Sequence, residues 1–147
     1  HDDTTADDVS ASGGEGVTVA EFPTTFEAAT ACRAHDQYIM MGAPNIIRGG
    51  SHFGNVAAHD LANNGLLDIL SSDYVPAALL NAAVTLGMLM EDMAAGVRKV
   101  TAVPADAAGF DDRGRIAPEK RADLVRFSVH DGLPIISSVW VRGQRIA

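Results

Sequence analysis

The sequence predicts an α/β fold, with a parallel sheet and helical crossovers over residues 1–108 and a small β-domain segment over residues 109–147. Three observations carry this expectation. Short apolar or β-branched runs alternate with helix-length segments at roughly twenty-residue spacing, the pattern of parallel strands joined by helices. Polar residues gather after these runs, at His1-Asp2-Asp3, Glu21, residues 45–55 and Ser71-Ser72-Asp73. In such folds ligands bind at the carboxyl ends of the strands. Beyond Pro104 the texture changes to short alternating or apolar runs and tight turns, which reads as antiparallel β.

The elements follow in order. Thr5 or Thr4 caps a first helix over residues 6–14, and residues 16–20 form a strand by their β-branched content. Thr24 and Glu27 have capping-box spacing and open a helix running to about His35. Tyr38-Ile39-Met40-Met41 is the next strand, and residues 42–55 are a loop. Asn55 caps a helix over residues 56–63, which Asn64-Gly65 stops. A strand over residues 66–70 delivers Ser71-Ser72-Asp73 to its end. Residues 77–93 form a long helix, Gly96 breaks it, and a helix over residues 97–103 stops at Pro104. Residues 111–115 are turn-rich and hairpin-like. Residues 122–127 and 138–142 are strands, and Gly143-Gln144 is a tight turn.

A chain of 147 residues is about one domain and can bury a core. Apolar residues at 47% and charged residues at 20% fit a globular protein. The net charge of −8 argues against nucleic-acid or membrane-surface partners, so any anionic ligand needs a local positive patch. No apolar run approaches the roughly eighteen residues of a membrane span. Cys32 is the sole cysteine, which points to a reducing, cytoplasmic setting. The chain starts His1-Asp2-Asp3-Thr4-Thr5, without Met or signal peptide, and is expected to be the C-terminal piece of something longer.

The richest stretch for chemistry is Gly42–Asn55, with four Gly, one Pro, two Asn, Arg48, Ser51 and His52. Gly-Gly beside Ser-His lets the backbone approach a ligand, and Arg48 and His52 supply positive charge. From composition this is either an anion-binding loop or an ordinary long connection. Arg48 suits bidentate phosphate recognition, with Ser51, His52 and Asn55 offering further hydrogen bonds. Asp73 either carries chemistry at a strand end or caps the turn before Pro76. Asp2 and Asp3 support a site or cap a helix, and Glu21 faces a ligand or sits solvated on the rim. His35, His59 and His130 read as solvated, Met88, Met90 and Met93 as packing, and Cys32 as inert. There is no Walker-type Gly-rich sequence ending in Lys-Ser/Thr.

Several stretches together resemble one family. They are His1-Asp2-Asp3-Thr4-Thr5, Ala20-Glu21-Phe22-Pro23-Thr24-Thr25, Met41 to Asn55, and Leu70-Ser71-Ser72-Asp73-Tyr74-Val75-Pro76. The tail Asp112-Arg113-Gly114-Arg115-Ile116-Ala117-Pro118 with Arg121-Ala122-Asp123-Leu124-Val125 joins them. The chain resembles the C-terminal part of the phosphonate-metabolism protein M family of the C–P lyase pathway, in the amidohydrolase superfamily. The run from Met41 to Pro76 is specific to that family, and the tail is shared across the superfamily. Phe53, Val103 and Glu119 depart from the usual pattern.

The resemblance implies the C-terminal half of an amidohydrolase-type (β/α)8 barrel plus part of a small β domain built from both chain termini. It implies hydrolysis of α-D-ribose 1-methylphosphonate 5-triphosphate to the 5-phosphate and diphosphate, with a divalent metal, Zn²⁺, activating water. On this reading Asp73 is catalytic and a metal ligand, and His1 is a second ligand. Arg48, Ser51, His52, Asn55 and Asn45 bind the substrate, with Asp2, Asp3 and Glu21 behind them. The implied partners are the phosphorylated substrate, the missing N-terminal half of the barrel, and further copies of the chain. Two alternatives stand beside it: a non-catalytic phosphate-binding or assembly fragment, and a deaminase or amide hydrolase of the same superfamily.

Overall fold

Three parallel strands set the geometry of the molecule. The computed structural model describes residues 2–51 and 54–147. Strand β1 (Val19–Glu21), β2 (Tyr38–Gly42) and β3 (Ile69–Ser71) pair in the order β1-β2-β3, with β2 in the middle. Helices α1 (Ala6–Gly14), α2 (Phe26–Ala34), α3 (Ala43–Arg48) and α4 (Ala58–Asn63) occupy the first half around them. Helices α5 (Ala78–Leu89), α6 (Met93–Arg98) and α7 (Ala102–Ala107) follow β3. A second, antiparallel sheet holds β4 (Leu124–His130), β5 (Leu133–Val141) and β6 (Gln144–Arg145). The expected mixed α/β class, with a parallel sheet first and antiparallel β last, is therefore what the chain adopts.

The core explains why β2 is central. Ile39 is fully buried and Met41 is 4% exposed, and Ala28, Ala29 and Cys32 of α2 are buried. These small side chains let the helix lie close to the sheet. Burial pushes the Cys32 thiol above its usual range, which fits the expectation that it is inert. At the amino ends of the strands Asp68 Oδ2 accepts from the Ile39 amide at 2.8 Å. Arg33 clamps the same carboxylate through both Nη atoms, at 2.5 and 2.9 Å. Lys99 Nζ donates to the Leu67 carbonyl nearby. Burial pushes the Lys99 ammonium below the usual lysine range, and Asp68 opposes that shift.

Helix ends follow the sequence with instructive shifts. Thr5 caps α1 as expected, in a reciprocal box with Asp8, whose carboxyl is held below its usual range by the Thr5 hydroxyl. For α2 the expected Thr24 cap is displaced to Thr25, which accepts from the Ala28 amide at 3.0 Å. Thr24 is occupied elsewhere: its amide donates to the Asp3 carbonyl at 2.8 Å, and its hydroxyl meets that of Thr4. Glu27 accepts from the Ala6 amide at 3.2 Å and ties α2 to the start of α1.

Other expectations are corrected. Residues 42–55 are not loop throughout, because 43–48 form α3. Pro44 lies in its first turn, where a missing N–H costs nothing, and Gly49 ends it at φ 76. Asn55 does not cap the next helix, which starts later, at Ala58. Strands expected over 16–20 and 66–70 are shorter and shifted, to Val19–Glu21 and Ile69–Ser71. Helix α5 stops at Leu89 rather than 93, and Glu91 turns the chain at φ 52. Pro104 does not stop a helix but sits in the first turn of α7. Residues 111–115 form bends rather than a hairpin.

The real hairpin is β4–β5, turned by Asp131-Gly132, both at positive φ, the backbone demanded by a tight two-residue turn. Arg142-Gly143 turns β5 into β6 in the same way, one residue before the expected turn. Val125, Leu133, Ile135 and Ile136 of this sheet are more than half exposed.

Gly96 was expected to break a helix and instead lies inside α6, where α5 crosses it. A Cβ at Gly96 would lie 2.3 Å from the Ala83 carbonyl oxygen and 2.6 Å from the Gly87 nitrogen. Gly96→Ala is therefore expected to destabilise the fold by about 1–3 kcal/mol through forced separation of the helices. Urea unfolding measures this; unchanged stability would contradict the backbone contact.

Candidate functional site

All three parallel strands end at one cavity. The ladder continues past the strand ends, with Phe22 N donating to Met40 O and Asp2 N donating to Glu21 O, both at 2.9 Å. This brings the chain start beside the end of β1. A cavity of about 220 Å³ opens here, lined at each strand end in turn. Asp2 comes from the chain start, Phe22 and Pro23 from the end of β1, Met41, Gly42, Pro44, Asn45 and Arg48 from β2 and α3, and Asp73 and Tyr74 from the end of β3. Gly50, Ser51 and Asn55 close the side formed by the loop.

The backbone at this edge is unusual. Asp2, Phe22 and Asp73 all take positive φ, at 56°, 58° and 51°. Asp adopts this region with modest difficulty, but for a bulky Phe it is uncommon. Such conformations cost about 1–3 kcal/mol each and gather where surrounding structure enforces a functional geometry.

Asp73 is tied to the next residue and lies close over Gly42. Its Oδ1 accepts from the Tyr74 amide at 2.8 Å. A Cβ placed on Gly42 would be only 2.9 Å from its Oδ2. Gly42 has ordinary extended backbone, φ −74 and ψ 133, so its value here is space rather than conformational freedom.

Arg48 closes α3 and reaches across to Tyr74. Its Nη1 donates to the Tyr74 hydroxyl at 2.5 Å, and its Cζ lies 5.6 Å from the Tyr74 ring centroid. Asn45 lines the cavity but is also a structural residue, because its Oδ1 accepts from the Ala58 amide at 2.9 Å. It performs the capping that was expected of Asn55.

The remaining sequence candidates fall as follows. Ser51 and Asn55 line the cavity. Asp2 lines it as well, whereas Asp3 turns toward α1 and accepts from the Ser12 hydroxyl at 3.2 Å. Glu21 ends β1 and is not among the lining residues. The expectations for His1 and His52 lie outside the described residues. Tyr74, Gly42 and Phe22 were missed. Tyr74 adjoins Asp73, Gly42 opens the stretch Gly42–Asn55 without a role of its own there, and Phe22 precedes a Pro at a strand end, yet no spacing rule marks any of them.

The chemistry of the lining is mixed in sign. Among the described lining residues there are two carboxylates, Asp2 and Asp73, and one guanidinium, Arg48. The local positive patch expected for an anion is thus only half present. Among the described residues no group of three His, Cys, Asp or Glu is arranged to hold a metal ion. The carboxylates suit a divalent cation, but the described side chains do not complete a site.

The comparisons with known proteins follow the same lines. No protein-family model matches the chain. Over 149 aligned residues it is 51% identical to alpha-D-ribose 1-methylphosphonate 5-triphosphate diphosphatase of Escherichia coli (strain K12). That alignment covers 99% of this chain and 39% of the relative, so the chain spans about two fifths of the relative's length. The family resemblance read from the sequence therefore holds across the chain. A crystal structure of an uncharacterized protein matches with a TM-score of 0.69 at 18% identity, over 97% of this chain and 44% of its own. That second likeness is one of fold.

Asn45→Ala tests the cavity floor. It leaves the Ala58 amide, in a fully buried residue, without its acceptor. The expected cost is about 1–2 kcal/mol. Chemical denaturation measures the loss, and a neutral substitution would show that the cap is not needed.

Proposed function

We propose that this chain supplies part of the active site of a hydrolase converting α-D-ribose 1-methylphosphonate 5-triphosphate to its 5-phosphate and diphosphate. The observation that carries the reading is the convergence of Asp73, Asp2, Arg48, Ser51 and Asn55 on one cavity at the carboxyl ends of parallel strands. The relative of that name shares half its aligned residues with this chain. In this proposal the parallel sheet is part of an amidohydrolase-type (β/α)8 barrel. The rest of the barrel, and further copies of the protein, are its partners in the cytoplasm. The cavity of about 220 Å³ is smaller than the roughly 300–1,000 Å³ of typical small-molecule sites, which suits a site completed by other segments.

The residues divide the work. Asp73 accepts a proton from water as oxygen bonds to phosphorus and the bridging P–O bond breaks. Arg48 offers charge-assisted hydrogen bonds to the phosphate oxygens, and Ser51 and Asn55 add neutral ones. Diphosphate leaves with the bridging oxygen. Two carboxylates facing one guanidinium favour a bound divalent cation when a polyphosphate enters, and Zn²⁺ is the proposed metal. When bound, it lowers the pKa of water and screens phosphate charge. Its ligands would be Asp73, His1 and groups beyond the described residues.

Two variants test the reading in the full-length protein. Asp73→Asn is expected to lower turnover by at least ~10²-fold. The fold should persist, because Asn also tolerates positive φ. Near-normal hydrolysis of the triphosphate by this variant would remove Asp73 from the mechanism. Gly42→Ala presses a methyl group against the Asp73 carboxylate, the far end of a movable side chain. It is expected to lower turnover while shifting stability by less than about 1 kcal/mol. Full activity in that variant would show that the position of Asp73 is not critical.

A further inference from the structure

We propose that Tyr74 is a positioning residue that holds Arg48 aimed into the cavity through an uncharged contact. The inference rests on the reading of Arg48 as a phosphate contact and adds to it a residue that no sequence rule marks.

Three observations support it. Tyr74 is 61% exposed, so packing of the core does not account for its placement. Its hydroxyl and its ring both engage the same guanidinium, through the Nη1 hydrogen bond and the 5.6 Å approach of Cζ to the ring centroid. Its amide, at the same time, donates to Asp73 Oδ1 at 2.8 Å. One residue thereby sets the relative placement of the guanidinium on α3 and the carboxylate at the end of β3.

The chemistry of the contact matters. A long Arg side chain at a helix end loses substantial rotamer entropy when it orders around a ligand. A contact that orders it beforehand lowers that cost on binding. A carboxylate in the same place would also order it but would neutralise its charge. A phenol and an aromatic face restrain the guanidinium without doing so.

A double-mutant cycle in the full-length enzyme tests this, using inorganic tripolyphosphate as a competitive inhibitor alongside substrate kinetics. Arg48→Ala is expected to raise the inhibition constant by about 10–100-fold, the range for a lost charge-assisted contact. Tyr74→Phe keeps the ring and the backbone amide but removes the hydroxyl. It is expected to raise the inhibition constant and KM by about 3–10-fold, with kcat within about twofold of wild type. In the Arg48→Ala background, Tyr74→Phe is expected to have no further effect, because its role is exercised through Arg48. An equal effect of Tyr74→Phe in both backgrounds overturns the positioning role, as does a fall in kcat with unchanged KM. In either case the Arg48→Ala effect would still uphold Arg48 as a phosphate contact. If Arg48→Ala leaves the inhibition constant unchanged, both that reading and this inference fail.

Discussion

Strand β2 is hydrogen-bonded along both edges, and the site depends on where its carboxyl end lies. Parallel pairing places the ends of β1, β2 and β3 on one side of the sheet, and the ladder carries on through Phe22 and Asp2. Side chains from four separate segments then meet without any long loop having to fold back. Gly42, the last residue of β2, lets the Asp73 carboxylate cross over it. A side chain at that one position would separate the two strand ends chemically even if the sheet still formed.

The opposite end of the sheet serves stability. Asp68 is engaged by Arg33 and by the Ile39 amide, so a loop carboxylate before β3 is locked to the start of β2. Lys99 adds a donor to the Leu67 carbonyl. Their locations divide the sheet as in other parallel α/β proteins: charge clusters at the amino ends hold strands in register, and polar groups at the carboxyl ends face ligands. The three left-handed residues at the cavity fit this division, because strain can be tolerated at one end when the other is firmly tied.

At the cavity, electrostatics limit what can bind. Two carboxylates and a guanidinium do not make a simple anion pocket, so a polyphosphate requires more positive charge than the described lining offers. This is the physical reason for assigning a cation to the proposed mechanism. Val125, Leu133, Ile135 and Ile136 of the antiparallel sheet are each more than half exposed, so β4 and β5 show apolar side chains at their surface.

Much of this protein could be read from its residues alone. Alternation of apolar runs with helical segments determined the α/β class, Thr5 determined the start of α1, and the apolar run from Tyr38 determined β2. The placement of polar residues after the strands marked Asp73, Arg48, Ser51 and Asn55 as site candidates, and they meet. These features are local, set by periodicity, caps and strand direction. What only tertiary structure decided is non-local. Asn45 rather than Asn55 supports α4, because the acceptor comes from helix α3, thirteen residues away. Gly96 is an approach point for α5 rather than a break, since its neighbours lie on another helix. Residues 43–48 are helical because Ala43, Pro44 and Ile46 bury against the core, which outweighs a loop-like composition. Tyr74 gained its role from Arg48 across the cavity, a contact between two elements that no one-dimensional pattern encodes.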